Sequence, residues 1–366
     1  MKIRSLWIRN FKGVRNQEIL FSDFRNTVRP LTCLIGDNGA GKTTILQAMA
    51  LVLSLATRKT KAANTLNWHG FLAERMSSLG ATQIRLTIDF DEDELKSVAW
   101  LFQCWRESLS PEWAESRHIV PPGNHPEIEL TYSPQQGVRC SQGAEGLNQF
   151  LGRYYIKSLL RTSGAYRDEF AKVGDVFWFD QHRNLGAAAV ESTDADDSGA
   201  YPETWVAGVE QLREYLVGFW SYHTASSKAF GRDYIPDLER RLNAVFPGRR
   251  FAGSAPRQNG GGRGARDFYF LLEHEGQTYD IAEMSSGEQA VFPLIYEFVR
   301  LDISRSIVLI DELELHLHPP EQQRLLNALP KLGPDCQFIV STHSEFLTGA
   351  IPNECEVRLE GGSRCL

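Results

Sequence analysis

Apolar and polar residues alternate from the start of the chain. Met1-Lys2-Ile3-Arg4-Ser5-Leu6-Trp7-Ile8-Arg9 therefore predicts a strand with one buried face. The apolar runs Ile19-Leu20-Phe21 and Leu31-Thr32-Cys33-Leu34-Ile35 predict two more strands, and Ile45 to Leu53 predicts a helix. Residues 57–80 read as polar and irregular, with a small basic cluster at Arg58, Lys59 and Lys61. Gln83 to Phe90 alternates again and predicts a strand. Across 91–118, Leu, Trp and Phe recur at helical spacing, with Trp100, Phe102, Trp105 and Trp113 supplying apolar bulk. A Pro/Gly/His loop at 119–126, a short strand from Glu127 to Tyr132 and a helical pattern over 144–172 follow.

Val173 to Asp180 predicts a buried strand. Small and acidic residues fill 187–204, including Glu191, Asp194, Asp196 and Asp197, and read as a solvated linker. Two helices are predicted over 205–246. The glycine-rich stretch from Arg249 to Arg266 holds five arginines and no acid, and reads as a flexible basic loop. Phe268–Leu272 and Gln277–Ile281 predict a hairpin turning at Glu275-Gly276. A helix after Met284, a strand at 306–310, a further helix, a strand at 337–340 and a short strand near Val357 complete the pattern. Neither a repeat nor a sustained heptad run is visible.

Bulk properties narrow the class. The 366 residues suit one large or two ordinary domains, and 42% apolar with 23% charged residues is a globular balance. No apolar run reaches membrane-span length, and the N-terminus lacks the apolar core of a signal peptide. Six scattered cysteines without a C-x-x-C pair indicate neither a zinc site nor a disulfide framework, so a reduced, cytoplasmic setting is expected. A net charge of −7 argues against non-specific coating of nucleic acid, though not against a local basic patch.

Four stretches carry chemistry. Gly36-Asp37-Asn38-Gly39-Ala40-Gly41-Lys42-Thr43-Thr44 matches G-x-x-x-x-G-K-[ST] in full, between a predicted strand and a predicted helix. Such a loop turns backbone N–H groups toward a phosphate chain at a helix start. Lys42 would reach the β- and γ-phosphates and the Thr43 hydroxyl would bind Mg²⁺. Ile307-Val308-Leu309-Ile310-Asp311-Glu312 reads as a buried strand ending in two carboxylates. Asp311 suits Mg²⁺, and Glu312 is placed to orient or deprotonate an attacking water. Ser285-Ser286-Gly287-Glu288-Gln289 opens a helix as an anion site or as a plain capping box. His343 ends the strand Phe338-Ile339-Val340 within Ser341-Thr342-His343-Ser344; taken alone, a structural histidine is the commoner reading.

Together these motifs resemble the ATP-binding-cassette class of ATPases, in the soluble branch holding the SMC, RecF and OLD-type enzymes. The resemblance covers about 1–56 and 268–350. Asp311-Glu312-Leu313-Glu314-Leu315-His316-Leu317-His318-Pro319 looks like the D-E-P-E-x-H-L-H-P run of OLD-like and phage-defence ATPases of the Septu and retron-associated type. Leu313 replaces the usual proline, so a changed turn after Glu312 is expected. The resemblance implies that Asn38, Gly39, Ala40, Gly41, Lys42, Thr43 and Thr44 hold ATP. It makes Asp311 and Glu312 the Walker B pair and His343 the switch histidine, and has Ser286 and Gly287 complete a partner's site. Gln181, after the strand at 176–179, matches the Q-loop position that senses Mg²⁺. Lys12 resembles a basic position near nucleotide phosphates, with a surface lysine as the equal alternative. His316 and His318 read as shaping the D-loop and a dimer contact.

The implied fold is α/β: an ABC-ATPase head with a mixed sheet, flanking helices, an inserted helical lobe and no long coiled coil. The expected divisions are 1–90 with the P-loop, 91–175 as helical insertion, 176–186 with the Q-loop, 187–267 as linker, helices and basic loop, and 268–366 as the second ATPase lobe. The implied activity is hydrolysis of ATP with Mg²⁺ by a homodimer closed around two ATP molecules; a higher oligomer stays open. Only 23 residues follow His343, so no C-terminal nuclease module is expected in the chain. The role favoured is control of a separate effector, a nuclease, in anti-phage defence. The alternative is a RecF-like, ATP-gated clamp on nucleic acid, which the basic stretch at 249–266 keeps open.

Overall fold

The structure, a computed structural model, describes residues 1–66, 68, 70–110, 119–181, 205–225, 232–258, 264 and 267–359. The chain divides into two compact units: Met1–Glu191 with Ile303–Glu314 and Gly333–Leu366, and Ser192–Asp302 with Leu315–Leu332. Trp113, the acidic run at 191–197 and the arginines at 263 and 266 lie outside the described residues.

In chain order the strands are β1 (Lys2–Phe11), β2 (Val14–Leu20), β3 (Leu31–Ile35), β4 (Gln83–Asp89), β5 (Glu127–Ser133), β6 (Gly137–Cys140), β7 (Val176–Phe179), β8 (Arg250–Pro256), β9 (Phe268–His274), β10 (Gln277–Asp280), β11 (Ile307–Ile310), β12 (Gln337–Thr342) and β13 (Glu356–Arg358). The principal helices are α1 (Lys42–Ala56), α2 (Glu92–Glu107), α3 (Gly143–Asn148), α4 (Gly152–Leu160), α5 (Trp205–Thr224), α6 (Ile235–Val245), α7 (Ser286–Arg300), α8 (Pro319–Leu332) and α9 (Glu345–Ala350).

The first unit holds two sheets. One is antiparallel, in the order β2-β1-β4-β5-β6. The other is parallel throughout, in the order β13-β3-β12-β11-β7. The four residues of β7 and of β11 are all buried, as their unbroken apolar runs require of strands covered on both faces. Helix α1 joins both sheets in one core. Its residues Ile45 to Leu53 are all buried, and Met49 and Leu53 share an apolar cluster with Ile3 and Leu86 of one sheet and Trp178 and Leu309 of the other. A helix apolar on all sides is stable only when enclosed in this way.

Three expectations change. The polar reading of 57–80 fails because Leu66, Trp68, Phe71 and Met76 are core residues, with Trp68 against Trp178 at 6.1 Å. Isolated apolar residues in an irregular segment carry no period to reveal them. The stretch 91–175 is not a helical insertion: the expected strand, β5, and an unexpected one, β6, pair onward from β4 and widen the antiparallel sheet. The basic stretch at 249–266 begins as a strand, since β8 pairs with β9 and buries Phe251. Gly253 there has φ 117° and faces the Trp220 indole, which a Cβ would meet at 2.9 Å. The glycine thus serves close packing as well as backbone freedom.

In the second unit β10, β9 and β8 form a sheet. Its β9–β10 turn is the expected Glu275-Gly276, both at positive φ (51° and 78°), which suits a tight antiparallel hairpin. Arg213 donates to Asp280 Oδ1 at 2.5 Å, and Phe270 N–H donates to Asp280 Oδ2 at 2.9 Å, both buried. No helix among the described residues is long and apolar enough to cross a membrane.

Candidate functional site

All pairings in the second sheet are parallel, so β3, β7, β11 and β12 end on one edge. Ile310 is in register with Val340 and Phe179, and Thr342 with Ile35. The next residues out are the P-loop after β3, Gln181 after β7, Asp311 and Glu312 after β11, and His343 after β12. This carboxyl edge is where open α/β sheets bind ligands.

The P-loop is built by glycine geometry. Gly39 and Gly41 sit at φ 83° and 91°, and Gly41 caps α1. A Cβ on Gly36 would lie 2.9 Å from the Leu359 carbonyl. Asp37, Asn38 and Gly39 are exposed, whereas Gly41, Lys42 and Thr44 are buried. Lys42 Nζ donates to the carbonyls of Gly36 at 2.7 Å and Asp37 at 3.0 Å, and meets His343 Nδ1 at 3.1 Å. Burial pushes the Lys42 ammonium below the ordinary lysine value, against the pull of Asp311, Glu314 and Glu312.

A lysine ammonium only donates, so in this contact His343 Nδ1 is the acceptor. His343 Nε2 lies 3.9 Å from Glu312 Oε1. Lys42, His343 and Glu312 therefore form one polar line across three strand ends. Thr43 Oγ1 donates to Asp311 Oδ2 at 2.8 Å. A hydroxyl and a carboxylate at this spacing are hard oxygen donors of the kind Mg²⁺ takes. Among the described residues no group of three or more His, Cys, Asp or Glu could hold a metal, so a cation here would also need oxygens from its ligand.

Two residues without an assigned role prove central. Ser341 Oγ donates to Asp311 Oδ1 at 2.5 Å and accepts from Glu312 N–H at 2.8 Å. Glu314 Oε1 accepts from the His343 backbone N–H at 2.5 Å. Both lie inside quoted motifs, but only strand register shows what they touch. Glu312 itself is in left-handed conformation, φ 47°, and Leu313 N–H donates to Ser341 O at 3.0 Å. A proline at 313 would lack that donor and would disfavour such a conformation at the preceding residue. Leu313 thus supplies a donor that this turn uses and a proline would lack.

Lys12 sits in the β1–β2 turn and reaches α1 at Gln47. Its Nζ donates to Gln47 Oε1 and the Gly70 carbonyl, each at 2.7 Å. Gln181 is half-buried in the turn after β7. Ser286 and Gly287 belong to the second unit. There Ser285 and Glu288 form a full capping box at the start of α7, Ser286 is exposed, and a Cβ on Gly287 would meet the Glu321 carboxylate at 2.6 Å. Glu321 also accepts from His318 N–H at 3.1 Å, and the His316 and His318 side chains are exposed. Burial would raise the Glu288 carboxyl, but hydrogen bonds from Arg249 and Ser285 hold it below the usual range.

Two family models cover most of the chain: "AAA ATPase domain" over residues 1–175 and "AAA domain, putative AbiEii toxin, Type IV TA system" over 192–348. The chain is 25% identical over 375 residues to the Septu protein PtuA of Bacillus mycoides, covering 99% of this chain and 41% of that protein. It is 33% identical over 90 residues to the retron Vc95 probable ATPase of Vibrio cholerae, covering 22% and 18%. It is 35% identical over 88 residues to the DNA replication and repair protein RecF of a Synechococcus strain, covering 24% and 21%. Each match spans less than half of the relative's length. With a full P-loop motif and paired carboxylates on the edge of a parallel sheet, the chain has the α/β fold of a P-loop ATPase and is similar to the Septu, retron and RecF proteins.

Proposed function

We propose that this chain hydrolyses ATP with Mg²⁺ as a head-to-tail dimer and that its nucleotide state controls a separate effector, a nuclease, in anti-phage defence. The observation that carries the reading is the convergence of Lys42, Thr43, Asp311, Glu312 and His343 on one sheet edge. P-loop N–H groups from Asn38 to Thr44 would cradle the phosphates, and Lys42 would turn from its loop carbonyls to the γ-phosphate. Thr43 and Asp311 would hold Mg²⁺, which supplies charge neutralisation when bound; Gln181 is the further candidate on that edge. Glu312 would orient water and accept its proton, while His343 would contact the γ-phosphate. Exposed Ser286 with Gly287 would close the site of a second copy. Loss of the γ-phosphate would then loosen the pair, an association switch set by nucleotide state. The PtuA and retron relatives support the effector-control role.

Glu312→Gln tests the reading. In ATP and Mg²⁺ the variant is expected to elute as a dimer by light scattering, with turnover at least about 100-fold down. Multiple turnover at the wild-type rate would overturn the Glu312 role, and a monomer at saturating ATP would overturn the sandwich.

A second reading, an ATP-gated clamp on DNA, is favoured by the RecF match. Salt-sensitive DNA binding that appears only with ATP would select it. Co-purification with a nuclease chain, without DNA affinity, would select the first.

A further inference from the structure

Arg58 and Lys59 of the basic cluster, but not Lys61, line a recess in the first unit. Arg58, Lys59, Arg153 and Lys157 bring four cationic side chains to it against the single carboxylate of Asp175, with Tyr154 at its wall. The chain as a whole carries a net charge of −7, so this concentration is not a sample of the average surface. Its floor is fixed. Lys59 Nζ is 3.0 Å from Asp175 Oδ2 and 4.3 Å from the Phe177 ring centroid, with its side chain only 7% exposed. The Arg153 guanidinium lies over Phe170 and Phe177 at 5.1 and 5.2 Å and donates to the Phe170 carbonyl at 3.3 Å. Its rim is accessible: Arg58 is exposed, Lys157 half-buried and Tyr154 40% exposed.

The recess lies at the end of α1 opposite the P-loop. Thr57 caps the C-terminus of the helix that Lys42 begins, and fifteen residues of α-helix span roughly 22 Å. Asp175 likewise precedes β7, whose other end leads to Gln181.

We propose that this recess is a second anion site, taking the phosphoryl group of a small ligand, either inorganic phosphate or a mononucleotide. A phosphoryl group presents several acceptor oxygens and up to two charges, which an arginine fork and lysine ammonium groups match. Burial and the neighbouring Lys157 and Arg153 hold Lys59 down to about 8, against the pull of Asp175; an entering anion would relieve that repulsion. A small ligand is favoured over nucleic acid because two of the cations lie in the floor of a recess, not along a stripe, and one exposed tyrosine offers no stacking platform.

Titration calorimetry on the full chain tests this, with Lys42→Ala throughout so that the P-loop does not mask the result. Inorganic phosphate and AMP are titrated separately, with and without the added pair Arg58→Ala and Lys157→Ala. The rim pair is expected to weaken binding at least tenfold, and Arg58→Lys alone to weaken it less. Equal affinity for both probes identifies free phosphate as sufficient; tighter AMP binding identifies a nucleotide. In the chain with native Lys42, the rim pair is expected to leave ATP affinity and the melting temperature unchanged, which separates this site from the P-loop and from misfolding. No binding of either probe, or binding indifferent to the rim pair, overturns the proposal. So does a rim effect confined to duplex DNA.

Discussion

Ser341 ties together Asp311 and Glu312, the two carboxylate residues that follow β11, one through its side chain and the other through its backbone. Ser341→Ala would remove this donor from Asp311 Oδ1 and this acceptor from the Glu312 N–H, at a residue held in left-handed conformation. Hydrogen bonds to charged groups contribute about 1.5–3 kcal/mol each, so a stability loss of about 2 kcal/mol is expected in urea unfolding. ATP turnover is expected to fall more than ATP affinity, because Glu312 and not the P-loop loses its support. Equal losses in both would show that Ser341 serves only folding. The importance of this serine was not legible in the sequence. A hydroxyl after an apolar strand is common, and only the register of β11 against β12 sets it beneath two carboxylates.

The start of α7 is stabilised from outside the helix as well as within it. The capping box is local and readable at Ser285 and Glu288. Arg249 Nε, 39 residues earlier, donates to Glu288 Oε1 at 2.8 Å, and the Tyr279 hydroxyl donates to the same oxygen at 3.2 Å. Arg249→Ala is expected to cost about 3 kcal/mol, because it leaves a nearly buried carboxylate without its cation. Thermal unfolding measures that loss, and Arg249→Lys should recover part of it. A melt unchanged by Arg249→Ala would show the pair to be incidental. Arg249 looked like the first residue of a flexible loop because arginine and glycine dominate the run after it. Pairing of β8 with β9, a non-local event, converts its start into a strand.

Across the molecule, the folding of the first unit has a signed dependence on alkaline pH. Lys59 is held at about 8 when folded, chiefly by burial, against about 10.4 for a free lysine. Between those values the unfolded chain holds more protons on this residue, so its contribution to stability rises with pH. Below about 8 both states are protonated and the contribution is constant at its least favourable. Wild type should therefore gain on Lys59→Met as pH goes from 8 to 10, by at most about 1.4 kcal/mol per pH unit. A stability difference flat over that range would refute the burial of a charged Lys59. The same residue shows why parts of the interior escaped the sequence reading: 57–80 lacks any period, yet supplies Trp68 and Phe71 to the core and Lys59 to the recess.

The P-loop, the carboxylates ending β11 and the capped start of α7 were readable directly, since each depends on neighbours within a few positions. A glycine that must turn, an unbroken buried strand and a serine three residues before a glutamate leave their mark in the local order of residue types. The fold class followed from their sequence along the chain. Tertiary structure alone decided which side chains meet. Lys42 and His343 are separated by 301 residues and Thr43 and Asp311 by 268, and parallel register brings each pair within about 3 Å. It likewise gathered Lys59, Arg153 and Asp175 around one recess. Such contacts depend on how strands align and what a core encloses, and no run of neighbouring residues encodes either.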